Sequence, residues 1–262
     1  MPIDDDLRRA LPAQLNKLIT GLKLTGALTF DISRLHVHTP AADLSVKSSA
    51  APQAPVDLDF NAKLALSGAT LDVGVPVTQA AGTLELNGTV RHNKLASLEG
   101  PIDFPELRIA DRPASNLHAE LYKPADEDGI RIGKINGQLA GGDIAGQVDL
   151  AFPADGRSLY AMTFVLRNAD VRELSADMQP DLSGELSASL ALEGDWTDPR
   201  TRRGRGDVSV VGRQMYKIPL VLGLLQVTNL SLPIQSPFSE GSARYSVNGQ
   251  TVTFDSIELR SK

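Results

Sequence analysis

Hydrophobic positions recur along this chain with two different periods. Leu7, Leu11, Leu15, Leu18, Ile19 and Leu22 fall three and four residues apart, which predicts an amphipathic helical segment over residues 1–24. Asp4, Asp5 and Asp6 stand at its start, where the helix dipole favours carboxylates. Pro12 begins a second helical piece or kinks a single one, and Gly21 or Gly26 ends it. From Leu28 the period drops to two. Leu28, Phe30 and Ile32 alternate with polar neighbours, then the phase slips by one to Leu35 and Val37, which predicts a bulge. Residues 39–55 are rich in Ala, Ser and Pro and read as a loop around a short strand, Leu44–Lys47.

The alternation then continues almost to the end. Leu58, Phe60, Ala62, Leu64 and Leu66 share one face of a strand, Gly68 is expected to turn the chain, and Ala69, Leu71, Val73 and Val75 then repeat the pattern. Leu84, Leu86, Gly88 and Val90 form the next run. Shorter strands are predicted at Ile102–Phe104, Leu107–Ile109, Leu117–Leu121 and Ile130–Ile132. Ile135–Leu139 and Ile144–Phe152 flank a hairpin turn at Gly141-Gly142-Asp143, and Tyr160–Leu166 follows. Asp170–Leu174 reads as one short helix. Strands return at Leu182–Glu193 and Arg205–Gly212, a short helix is predicted at Leu220–Leu225, and strands Leu230–Leu232, Ala243–Val247 and Val252–Leu259 complete the series. Asn248-Gly249 is the strongest hairpin signal in the chain.

This tally predicts well over a dozen antiparallel strands, each apolar on one face, and no βα alternation. Such a sheet must cover its apolar face with a second sheet, by closing into a barrel, or by curling into an open groove filled by another molecule. Taken alone, the strand pattern favours a β-sandwich.

Composition narrows the function. The chain has 262 residues, no cysteine and a formal charge of -6. Without cysteine there are no disulfides, thiolate metal sites or cysteine nucleophile. An acidic surface disfavours nucleic acid as a partner. No nucleophile elbow, phosphate-binding glycine loop or paired-histidine helix motif occurs, so no catalytic residue, metal or cofactor is assigned and the protein is read as non-enzymatic. His36 and His38 share a strand face but have no third ligand nearby. Asp126-Glu127-Asp128 lacks the spacing of a calcium loop and reads as a turn. Arg200, Arg202, Arg203 and Arg205 form a basic cluster beside Asp195 and Asp198. They are candidates for contact with anionic headgroups, against the simpler reading of a solvated loop.

The last third of the chain carries a resemblance. Leu182-Ser183-Gly184-Glu185-Leu186, Leu190-Ala191-Leu192-Glu193-Gly194 and Gly204-Arg205-Gly206-Asp207-Val208 occur in the order seen in the AsmA-like C-terminal region. Ile218-Pro219-Leu220 with Leu224-Leu225, then Phe238, Ala243, Tyr245, Asn248-Gly249, Val252 and Phe254, continue the likeness. The resemblance to the AsmA-like family, within the repeating-β-groove, bridge-type lipid-transport superfamily, implies a long curled antiparallel sheet with an open apolar groove. It implies segments at residues 1–24 (helical), 25–167 (β-groove) and 168–262 (AsmA-like β segment cut short at its end).

It also implies a periplasmic protein of a double-membrane bacterium, anchored in the inner membrane when full-length, with phospholipid and the inner and outer membranes as partners and a part in outer-membrane biogenesis. The acidic start is unlike a signal peptide and no membrane helix is visible, so the sequence is expected to be a piece of a longer chain. The implied groove lining is Leu58, Phe60, Leu64, Leu66, Leu71 and Val73, with Leu84 and Leu86, from the first strands. Leu186, Leu190, Leu192, Val208, Val210, Val247, Val252 and Phe254 supply the rest. The competing expectation is a structural or adhesive β-sandwich or β-solenoid module that binds protein or glycan.

Overall fold

The computed structural model describes residues 3, 16, 19–38, 57–72, 75–92, 94–125, 127–153, 155–175, 183–212 and 239–260. Most of the predicted N-terminal helix, the strands Leu44–Lys47 and Leu230–Leu232, the helix Leu220–Leu225, and residues Val73 and Asp126 lie outside them. Residues 16 and 19–21 are helical, and the chain leaves that turn into the first strand.

Among the described residues, twelve strands follow in a single antiparallel sheet whose spatial order is its sequence order. They are β1 (Thr25–His38), β2 (Asp57–Asp72), β3 (Pro76–Arg91), β4 (Lys94–Ile109), β5 (Arg112–Lys123) and β6 (Gly129–Leu139). Then come β7 (Gly142–Ala151), β8 (Leu159–Asp170), β9 (Glu185–Asp195), β10 (Asp198–Val211), β11 (Glu240–Asn248) and β12 (Thr251–Arg260). The sheet is curled and open: β1 and β12 are both edges. Extensive packing runs only between successive strands, and one short helix, α1 (Val171–Leu174), touches β5 and β8. The sandwich favoured by the strand pattern alone does not form; the described strands make one layer. The segment boundary expected at residue 168 falls inside β8, and β8 and β9 are direct neighbours in the sheet.

Several expected strands are joined. Ile102–Phe104 and Leu107–Ile109 are parts of β4, and Ile130–Ile132 and Ile135–Leu139 are parts of β6. The reason is local. Apolar residues within these strands change spacing from two to three, and a one-residue bulge restores the face. In β6 the register slips between Ile132 and Ile135, with Lys134 at φ 52°. The same device recurs with Gly68 between Leu66 and Ala69, where the left-handed glycine bulges β2 instead of turning the chain as expected, and with Gln79 between Val77 and Ala80, Asn116 between Ala114 and Leu117, and Asn168 between Leu166 and Ala169. In β4 the irregularity falls at Pro105, which has no N–H to lose from the ladder. The predicted slip in β1 is present between Ile32 and Arg34. Bulges bend a strand and increase its twist, so a row of them across neighbouring strands curls the sheet.

Turn chemistry sets the hairpins. Ala140 and Gly141 (φ 50° and 74°) form the two-residue turn between β6 and β7. The turn thus lies one residue earlier than expected, and Gly142 and Asp143 begin β7. Ala110 and Asp111 (φ 48° and 62°) do the same between β4 and β5. Two left-handed residues in succession match the twist of the flanking strands. Asn248 closes β11 and Gly249 (φ 63°) opens the last turn.

Burial is greatest in the middle strands. Leu98 is 1% exposed and packs with Val90, Ile102, Leu121 and Ile130. A second cluster, Ala69, Val77, Ala80, Leu107 and Ala114, gathers around the bulges. Leu98→Ala should destabilise the fold by about 3 kcal/mol in chemical denaturation, since it leaves a cavity in a packed site. At the bulge, Gln79→Gly should stabilise by up to about 1 kcal/mol and Gln79→Val should destabilise by about 1–2 kcal/mol, because only glycine adopts positive φ without strain.

Candidate functional site

Directly opposed residues in an antiparallel pair point to the same face, so register identifies each face without ambiguity. One row runs Val37–Leu58–Val90–Leu95, and another runs Phe30–Leu64–Leu84–Ile102–Ala119. At the far side Met162–Leu192–Gly204–Val247–Val252 and Phe164–Leu190–Gly206–Tyr245–Phe254 are continuous rows. Leu121–Ile132–Val148–Met162 joins the two sides through β6 and β7, so an apolar band crosses all twelve described strands.

Each described residue of the expected lining lies on this band. Leu58, Phe60, Leu64, Leu66 and Leu71 place it on β2, and Leu84 and Leu86 on β3. Leu186, Leu190 and Leu192 carry it on β9, Val208 and Val210 on β10, Val247 on β11, and Val252 and Phe254 on β12. The central strands add residues the sequence reading left out of the lining: Leu98, Ile102 and Phe104 from β4, Leu121 from β5, Ile130 from β6, Leu150 from β7 and Tyr160 from β8. Their signal was the same alternation, interrupted by the spacing of three. Rings lie flat over glycines: a Cβ on Gly88 would come 2.3 Å from Phe60, and one on Gly146 equally close to Phe164.

The band is buried at its centre and open at its two sides. On β1, Phe30, Leu35 and Val37 are 50%, 52% and 54% exposed, and on β12 Val252 is 53% exposed. The curl brings Lys23, just before β1, and Asp72, the last residue of β2, to one wall of a cavity whose other wall holds Phe152, Tyr160, Met162 and Trp196. This apolar face is thus the inner side of the curled sheet.

The outer face is a ladder of cross-strand ion pairs. Lys63–Glu85, Arg131–Asp149 and Lys134–Glu120 are 2.8, 2.6 and 2.7 Å long. His36 and His38 belong to this face. His38 Nε2 lies 2.9 Å from Asp59 Oδ2, and Arg91 Nη2 lies 2.6 Å from Asp59 Oδ1. No group of three or more metal-ligating side chains occurs among the described residues. The His38 hydrogen bond and then the Arg91 guanidinium hold the Asp59 carboxyl below the usual carboxylate range.

The arginine cluster is strand rather than loop, because β10 begins at Asp198. The structure divides it. Arg203 and Arg205 face outward, opposite Glu193 and Ala191. Arg200 grips Asp198 with Nε at 2.9 Å and Nη2 at 3.0 Å, which lowers the Asp198 pKa. Arg202 turns to the inner face. On that face, too, Tyr245 donates from its hydroxyl to the Ser189 carbonyl at 2.9 Å, and burial raises its phenol pKa.

The fold and site together define an open, curled, all-antiparallel sheet with an apolar inner face and a charged outer face. No family profile, characterised protein or solved structure matches the chain.

An NMR titration should find Asp59 ionising below an ordinary aspartate, and His38→Ala or Arg91→Ala should each raise its pKa. Because the folded pKa is depressed, the stabilisation is present above the unfolded value of about 3.9 and is lost as pH falls through the folded pKa.

Proposed function

We propose that this chain is a non-enzymatic lipid-handling segment of a bacterial envelope protein, which holds or conducts phospholipid acyl chains along its inner face. The observation that carries this reading is the continuous apolar band over an open twelve-stranded sheet. Removal of a methylene from water is worth about 0.8 kcal/mol, so an acyl chain laid along such a band gains steadily with length. The row Leu121–Ile132–Val148–Met162–Leu192–Gly204–Val247–Val252 carries no polar side chain, which suits sliding as well as storage. The exposed apolar residues on β1 and β12 leave the headgroup side open to water. The AsmA-like resemblance of residues 182–262 supports placing the activity in the periplasm, between inner and outer membranes, in a protein anchored in the inner membrane and serving outer-membrane biogenesis.

Protein purified from a double-membrane bacterium should carry phospholipid in native mass spectra and in solvent extracts. Leu64→Asp and Leu190→Asp should each reduce bound lipid by about tenfold, since a carboxylate on the band must lose hydration to sit beside hydrocarbon. Thr163→Asp, on the outer face, should leave it unchanged. Lipid-free wild-type protein, or equal loading of all three variants, would contradict the reading.

A further inference from the structure

We infer that Arg202 seats the oxyanion head of an amphiphile whose hydrocarbon tail lies on the inner face. This rests on the groove reading above and specifies the ligand class: a phosphate or carboxylate carried on an acyl or alkyl chain.

Alternation places apolar residues or glycine on the inner face of β10, yet Arg202 is there. Arg203 is opposite Glu193 on the outer face, so its neighbour turns inward beside Gly194. The missing side chain of Gly194 leaves room; a Cβ there would lie 3.3 Å from the Arg202 Cα and 3.2 Å from the Tyr160 hydroxyl. A cation out of phase with its strand contradicts the local pattern, and such contradictions mark functional positions.

Lys123 makes the contrast. It also sits on the inner face, opposite Leu98, and is 3% exposed. Its ammonium donates to the carbonyls of Ala96, Pro124 and Glu127 at 3.0, 3.0 and 2.8 Å, so its hydrogen-bonding capacity is filled by the backbone. Arg202 is a partly buried residue whose guanidinium has no hydrogen bond or ion pair among the described residues; its backbone carbonyl accepts from the Gly249 N–H and the Arg203 guanidinium. A guanidinium with no protein counter-ion keeps its donors free for a ligand, and an oxyanion matches its paired donors.

The surroundings fit an amphiphile rather than a bare anion. Arg202 borders a cavity of about 660 Å³ walled by Phe152, Tyr160, Met162 and Trp196. Tyr160 and Trp196 meet edge to face, with centroids 5.8 Å apart, and make a rigid apolar floor. The carboxylates near it among the described residues are already engaged. Asp72 pairs with Lys23 at 2.9 Å, Asp198 pairs with Arg200, and Asp195 accepts from Thr197.

Trp196 is the sole tryptophan of the chain, so its fluorescence reports this cavity alone. The full chain is titrated with dodecyl phosphate, dodecyl maltoside and inorganic phosphate, the detergents below their micellar concentrations. Dodecyl phosphate should perturb the emission at about tenfold lower concentration than the maltoside, the scale of one charge-assisted contact. Arg202→Gln should erase that preference without weakening the maltoside response, and Arg205→Gln should keep it. Arg202→Lys, which retains the charge, and a preference that shrinks as ionic strength rises give support independent of how well Arg202→Gln folds. Equal binding of the two detergents to wild-type protein overturns the inference and leaves the groove reading intact. Saturation by inorganic phosphate alone overturns it in favour of a simple anion site. Binding of neither detergent overturns both.

Discussion

Among the described residues the single antiparallel layer has no second layer against which to bury its apolar side, and much of the structure follows from how it meets that constraint. Curvature is the answer the chain adopts. Side chains on the inside of a bend converge, so residues on adjacent strands shield one another from water in place of a second layer. Leu98 reaches 1% exposure in this way, at the centre of the bend, while Val37 and Val252 at the edges remain half exposed.

The curvature has an identifiable cause. Left-handed residues at Gly68, Gln79, Asn116, Lys134 and Asn168 each follow an apolar residue by two positions and precede another by one. The extra residue keeps both apolar neighbours on the inner face and bends the strand there. Glutamine and lysine hold this conformation at some cost in strain, which the surrounding pairing must offset. The same feature thus preserves the chemical identity of the face and shapes the surface it lines.

Much of this was legible in the sequence. The period of two identifies the strands and the apolar face of β2, β3, β9, β10, β11 and β12, and the slip from Ile32 to Leu35 identifies a bulge, whereas the reading of that face as a groove lining comes from the AsmA-like resemblance. The remaining bulges were not read. A spacing of three, as in Phe104 to Leu107 or Ile132 to Ile135, looks locally like a strand ending and another beginning. For that reason the central strands were cut short and their residues omitted from the lining. The choice between one layer and two was also beyond the pattern, because a sandwich strand and a groove strand show the same alternation. Arg202 was read as one of a cluster; only the register across β9 and β10 separates it from Arg203 and Arg205.

Because each strand packs chiefly on the strands before and after it, the architecture is modular in units of a hairpin. Two strands can be gained or lost together without reversing the direction of any that follow or exchanging their wet and dry sides. A single strand cannot, since its insertion would invert everything downstream. Capacity in such a trough therefore scales by even increments, and descent by duplication of hairpins would lengthen it while leaving its cross-section unchanged.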